Sequence, residues 1–249
     1  FVACGAVQTP ALLRRSGITN NIGNSLRLHP MLKVVAVFDH DVTGPDLPDP
    51  VHQITEFEPK FSMGCSVTKP PMLALAMLTH PDGLDTIARD WRRMAIYYVQ
   101  NSSGRGTVRN LPGFHDPLVT VHQSKGDLAD LTEGLNRLIE ALFAAGAITV
   151  YPCIPDYPVL RSPGDIHGLP EELAARNFNA TSVHVFSSCP MGENVSLCAT
   201  DSFGRVHGVD RLNIADASLL CSATVVNPQG TVMAIAHRNA SKAIEEGFS

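Results

Sequence analysis

His184, Asp216 and Asn227 fall within one short span of the chain, residues 182–239. A histidine titrates near neutrality and can take the proton of a hydroxyl group. A neutral carboxamide can hold the oxygen that is losing that proton. Asp216 directly follows the apolar stretch L-N-I-A. A carboxylate beyond the carboxyl end of a strand can accept hydrogen bonds from ribose or ribityl hydroxyls, and it serves equally in a turn with Ser218. Val226-Asn227-Pro228-Gln229-Gly230-Thr231 feeds a helix whose N-terminus offers free N–H groups and partial positive charge. Such an end can seat the N1–C2=O edge of a reduced flavin, with Gly230 allowing close approach. Taken alone, the segment reads as an ordinary capped helix with Thr231 in its first turn. An alcohol oxidation by hydride loss needs a base such as His184 for the hydroxyl proton. Ser187 and Ser188 beside His184 raise a hydrolase as a competitor, but no G-x-S-x-G elbow is present.

These groups need elements to position them. Residues 1–18 read as strand, turn and short helix, with Thr9 as N-cap, Pro10 as first helical residue and Gly17 as the stop. Residues 32–38 are a β-branched strand. Residues 91–100 read as a strand, and the turn at 102–106 leads into 107–109 as a hairpin or meander. Residues 127–145 are the clearest helix, with Leu128, Leu131, Leu135, Leu138, Ile139, Leu142 and Phe143 on one face. Residues 212–215 are a short buried strand, and a helix with a small apolar face follows Gly230. The opening strand and the closing strand and helix are expected in one sheet, with the middle as an inserted domain.

A chain of 249 residues with 44% hydrophobic content can bury a large core. A net charge of −5 gives no electrostatic grip on nucleic acid. No apolar run is long enough for a membrane span. The six cysteines lack paired spacing and read as buried free thiols of a reducing, cytoplasmic setting, with no metal site. His80, His115, His122, His207 and His237 lack partners in the sequence and read as structural or solvent-facing. The chain starts Phe1-Val2 with no Met, inside an expected strand, and reads as the later portion of a longer protein.

The same residues carry a resemblance. G-A-V-Q-T-P-A-L-L-R-R-S-G-I, from Gly5, resembles the second signature of the glucose–methanol–choline oxidoreductases. V-H-V-F-S-S-C-P-M-G resembles that family's H-P-x-G-T-x-x-M-G stretch. S-G-R-G-T-V, G-R-V-H-G-V-D-R-L-N-I-A-D-A-S and N-P-Q-G-T complete the set over nearly the whole chain. The resemblance implies the C-terminal half of an FAD enzyme that oxidises a primary or secondary alcohol by hydride transfer to flavin N5. It implies that His184 and Asn227 are the catalytic pair. It places Gly5, Ala6, Asp216, Ala217, Pro228, Gly230 and Thr231 against the FAD. The implied fold is α/β (α+β): residues 1–19 and 182–249 complete a Rossmann-like FAD-binding domain, and residues 20–181 form a substrate domain with an antiparallel sheet backed by helices. Two departures stand out. The family's Gly-Thr is Ser187-Ser188 here, and the G-x-G-x-x-G loop that seats the FAD pyrophosphate is missing from the chain. The expected partners are therefore an N-terminal FAD-binding half, a small-molecule alcohol, and dioxygen or another electron acceptor. The alternative is a non-catalytic subunit that keeps the fold.

Overall fold

A computed structural model describes residues 1–44, 52–173 and 181–247. The chain divides into two units: Phe1–His29, Ser102–Gln123 and Ser182–Ser249 form the first, Pro30–Asn101 and Ser124–Thr181 the second. Each has its own antiparallel sheet, in a mixed α/β architecture.

The second unit is built on β2 (Met31–Val37), β3 (Gln53–Ile54), β4 (Ser62–Ser66), β5 (Met94–Gln100) and β8 (Thr149–Pro152), in the order β3-β4-β5-β2-β8. On one face lies α4 (Lys125–Ala144), whose Leu131, Leu135 and Ile139 join Val34, Phe61 and Val99 in the largest core cluster. Its leucines recur at helical spacing, so one stripe faces the sheet. A capping box starts α4 two residues before the sequence suggests: Ser124 Oγ accepts from Asp127 N–H, and the Asp127 carboxylate accepts from Ser124 N–H. Gly146, at φ +95°, follows its end. On the other face, α2 (Pro70–Ala76) and α3 (Leu84–Asp90) pack Leu73 and Ile87 against Val35 and Ile96.

The first unit contains α1 (Gly5–Arg15), β1 (Leu26–Leu28), β6 (Gly104–Arg109), β7 (Leu118–His122), β9 (Val185–Phe186) and α5 (Gln229–Glu245). Its sheet runs β7-β6-β1-β9. Val2 bridges Ile214 in parallel, so the start of the chain lies beside the stretch before Asp216; this is an isolated bridge, and neither stretch is a strand of the unit's sheet, contrary to the expectation of an opening and a closing strand in one sheet.

Two further sequence expectations are corrected. Residues 91–109 do not fold back as a hairpin. β5 is flanked on both edges by β2 and β4, which leaves no edge for β6; the true hairpin is β6 with β7. Nor is Thr9 an N-cap: α1 already starts at Gly5, and Pro10 lies inside it. Proline has no N–H for the carbonyl four residues back. That carbonyl, Ala6, accepts instead from Ser188 Oγ at 2.7 Å, which is why the helix tolerates Pro10.

Candidate active site

The register of β1 against β9 decides what His184 meets. Arg27 pairs with Phe186 and Leu28 with Val185, so the next pair is His29 with His184. Residues opposite on an antiparallel pair bring their side chains together. His29 N–H donates to the His184 carbonyl at 3.2 Å. The two Nδ1 atoms are 3.2 Å apart, with the rings edge-on at 5.2 Å between centroids. His29 is wholly buried, its ring edge-on to Phe186 at 5.0 Å. Its Nε2 lies 2.6 Å from the Thr224 carbonyl, which also accepts from Ser102 Oγ at 3.2 Å. Thr224 Oγ1 donates to the Val226 carbonyl at 2.6 Å. The loop that carries Asn227 is thus tied through Thr224 to the histidine pair. Burial pushes the His29 imidazole down to about 4, against the opposing effect of the Thr224 hydrogen bond. Burial also lowers His184, which is half-buried. Both rings are neutral at pH 7.

Sequence reasoning missed His29. No local pattern marks it: its partner is 155 residues away, and only the strand register joins them.

Asp216 organises a second cluster. Its carboxylate accepts from Ser218 N–H at 2.8 Å, from Gly5 N–H at 3.0 Å and from the Thr9 hydroxyl at 2.5 Å. It therefore makes the turn with Ser218 and also caps α1, where Cys4 supplies no side-chain cap. Gly5, at φ +82°, has open space where a Cβ would project. Ala6 is buried, and Ala217 receives the Ser187 N–H at its carbonyl, 3.1 Å away. Gly5, Ala6, Asp216 and Ala217 are thus brought together.

The start of α5 is different. Pro228 is buried, while Asn227, Gly230 and Thr231 are exposed. No side chain caps the helix, and Gly230 faces open space. Uncapped N–H groups beside a residue without a Cβ fit the electron-rich edge of a planar, anionic ring.

Among the described residues no group of three or more His, Cys, Asp or Glu is gathered to hold a metal. All six cysteines are free. Cys153 and Cys189 are buried, with thiols pushed up to about 12, but Cys4 and Cys221 are exposed, contrary to the expectation of buried thiols.

Comparison with known proteins assigns the framework. The family model described as GMC oxidoreductase matches residues 66–236 with its C-terminal part, and the N-terminal part matches residues 1–31. The chain belongs to the GMC oxidoreductase family. These are flavoproteins, and FAD is their cofactor. A GMC-type oxidoreductase of Sinorhizobium fredii, itself uncharacterized, is 39% identical over 98% of this chain and 49% of its own length. A long-chain-alcohol oxidase of Arabidopsis thaliana is 28% identical over 95% of this chain and 36% of its own. The chain thus spans about half or less of these relatives. Pyridoxine 4-oxidase from "Mesorbium loti" superposes with a TM-score of 0.62 at 18% identity, over 98% of this chain and 50% of that one, and shares the fold.

Ser187 takes a left-handed φ of +65°. Glycine takes that conformation freely, whereas serine holds it at a cost of about 1–2 kcal/mol.

Among the described residues no helix is long and apolar enough to cross a membrane.

Proposed function

We propose that this chain is the C-terminal part of an FAD-dependent oxidoreductase that converts a primary or secondary alcohol to a carbonyl compound. His184 takes the hydroxyl proton, and the Asn227 carboxamide donates a hydrogen bond to the same oxygen. Bound FAD supplies the acceptor for the hydride that leaves the carbon. Gly5, Ala6, Asp216, Ala217, Pro228, Gly230 and Thr231 would hold its ring and ribityl chain. Residues 1–19 and 182–249 belong to the FAD-binding domain in this reading and 20–181 to the substrate domain, of which 20–29 and 102–123 group with the first unit. Dioxygen or another acceptor takes the electrons onward.

The observation that carries the reading is the neutral, half-buried imidazole of His184, anchored beside the loop that leads to Asn227. A base must be unprotonated to accept a proton, and lowering its affinity keeps it so at neutral pH. A long aliphatic alcohol is the first substrate class to test, because several relatives are named long-chain-alcohol oxidases. The pyrophosphate site is the contribution of an N-terminal half. α5 supports this: of its 17 residues only Asn239 and Ala243 are buried, and Met233 and Ile244 stand exposed. The free thiols suit a reducing, cytoplasmic setting.

The test uses the full-length protein. Purified material should absorb as a flavin and be bleached anaerobically by a long-chain alcohol. Flavin absorbance with no bleaching by any member of a panel of primary and secondary alcohols would favour the non-catalytic subunit. His184→Ala should slow bleaching by about 10²- to 10⁴-fold with flavin retained.

A further inference from the structure

We infer that His29 is a positioning residue: it holds His184 in the tautomer that carries hydrogen on Nδ1 and leaves Nε2 as the proton acceptor. The inference rests on the reading of His184 as the base and adds which of its nitrogens does the work.

The chain of reasoning starts at a backbone carbonyl. The Thr224 carbonyl can only accept, so His29 Nε2, 2.6 Å away, must bear a hydrogen. With a lone pair there instead, two acceptors would face each other at contact distance. His29 is wholly buried and neutral at pH 7, so its one ring hydrogen is spent on Thr224. Its Nδ1 is then an acceptor. The only group able to satisfy the 3.2 Å approach from His184 Nδ1 is an N–H. His184 Nδ1 therefore donates to His29, and His184 Nε2 is left with its lone pair. The relay is carbonyl, imidazole, imidazole, and each member fixes the next. The sheet register fixes the geometry, since β1 and β9 hold the two residues opposite each other and His29 N–H is bonded to the His184 carbonyl. The titratable group facing His29 is His184 itself; Phe186 and Thr224 contribute a ring edge and a carbonyl.

Once His184 has taken a proton on Nε2, the imidazolium still donates from Nδ1 to the neutral His29 lone pair. The same contact thus orients the base before proton transfer and hydrogen-bonds the cation after it. Thr224 stands three residues before Asn227, so the pair also steadies the approach to the carboxamide.

The experiment is ¹⁵N NMR of the histidine rings in the full-length holoenzyme, with the His184 signal assigned by its absence in His184→Ala. The expected wild-type spectrum has a protonated Nδ1 and an unprotonated Nε2 at His184 near pH 7. The opposite tautomer overturns the proposal, and this arm needs no folded variant of His29. His29→Phe keeps a ring against Phe186 but removes the acceptor. It should mix the His184 tautomers and lower the rate constant for anaerobic flavin reduction by roughly tenfold or more, with KM for the alcohol changed less. His29→Asn places a carboxamide oxygen at the same bond count as Nδ1 and should restore the Nδ1–H signal and most of the rate. An unchanged His184 tautomer in His29→Phe also overturns the proposal. Failure of the underlying reading looks different: His184→Ala would then reduce flavin at the wild-type rate, whatever the spectrum of His184.

Discussion

The two units of this chain are held together by different means. In the second, apolar side chains at regular spacing close on a sheet: Leu131, Leu135 and Ile139 of α4 meet Val34, Phe61 and Val99. Gly134 is packed so closely that a Cβ would come within 2.5 Å of Val99 and 2.8 Å of Phe61. In the first, the core clusters are smaller, and the backbone departs repeatedly from regular geometry. Asn21, Ser187 and Arg211 all take positive φ there. Side chains bonded to distant backbone hold it: Ser188 to Ala6, Asp216 to Gly5, His29 to Thr224. Burial alone makes a scaffold. Hydrogen bonds of fixed direction are needed to aim an imidazole.

The contrast can be attacked from either side. In the second unit, Leu135→Ala should cost about 2–5 kcal/mol, read from denaturant unfolding of the full-length protein. A cost like that of a surface substitution would mean that the α4 stripe is not what holds the unit.

In the first unit, acid should be the more telling perturbant. His29 titrates near 4 in the folded protein against 6.5 when exposed, so between those values the unfolded chain binds more protons. Stability is fully present above pH 6.5 and falls as the pH drops towards 4, by about 3 kcal/mol for this group. His184, also lowered, acts with the same sign. Unfolding midpoints followed from pH 7 to 4 should show this slope in the wild type and a smaller one in His29→Phe; equal slopes would contradict the burial of a neutral His29.

A smaller effect is expected at Ser188. Its removal in Ser188→Ala leaves the Ala6 carbonyl, which Pro10 cannot serve, without a donor, at about 1–3 kcal/mol. Ser187→Gly goes the other way: relief of the left-handed backbone should raise stability by about 1 kcal/mol. A loss of stability would show that the Ser187 hydroxyl, buried without a hydrogen-bond partner, is used after all.

The same contrast separates what could be read from the sequence from what could not. Leucines at helical spacing announced α4, and β-branched residues announced β2, because local periodicity reports which face is buried. His184, Asp216 and Asn227 stood out through ordered motifs. Their partners did not. That Asp216 caps a helix at Gly5, 211 residues away, or that Ser188 stands in for a missing N–H at Pro10, depends on tertiary placement that no local spacing encodes. The hairpin expected at residues 91–109 failed for a related reason: turn chemistry at 102–106 was visible, but the double flanking of β5 by β2 and β4 was not.

The central claim is that the imidazole at 184 removes the substrate's hydroxyl proton. The most direct test is anaerobic stopped-flow reduction of the flavin by a long-chain alcohol in full-length wild type and His184→Ala, followed from pH 5 to 9. The wild-type rate should fall on the acid side with an apparent pKa below 6.5, the ordinary histidine value from which burial lowers His184. The variant should keep its flavin, lose that limb and react at least 10²-fold more slowly. Equal rates and equal profiles in the two proteins would contradict the claim.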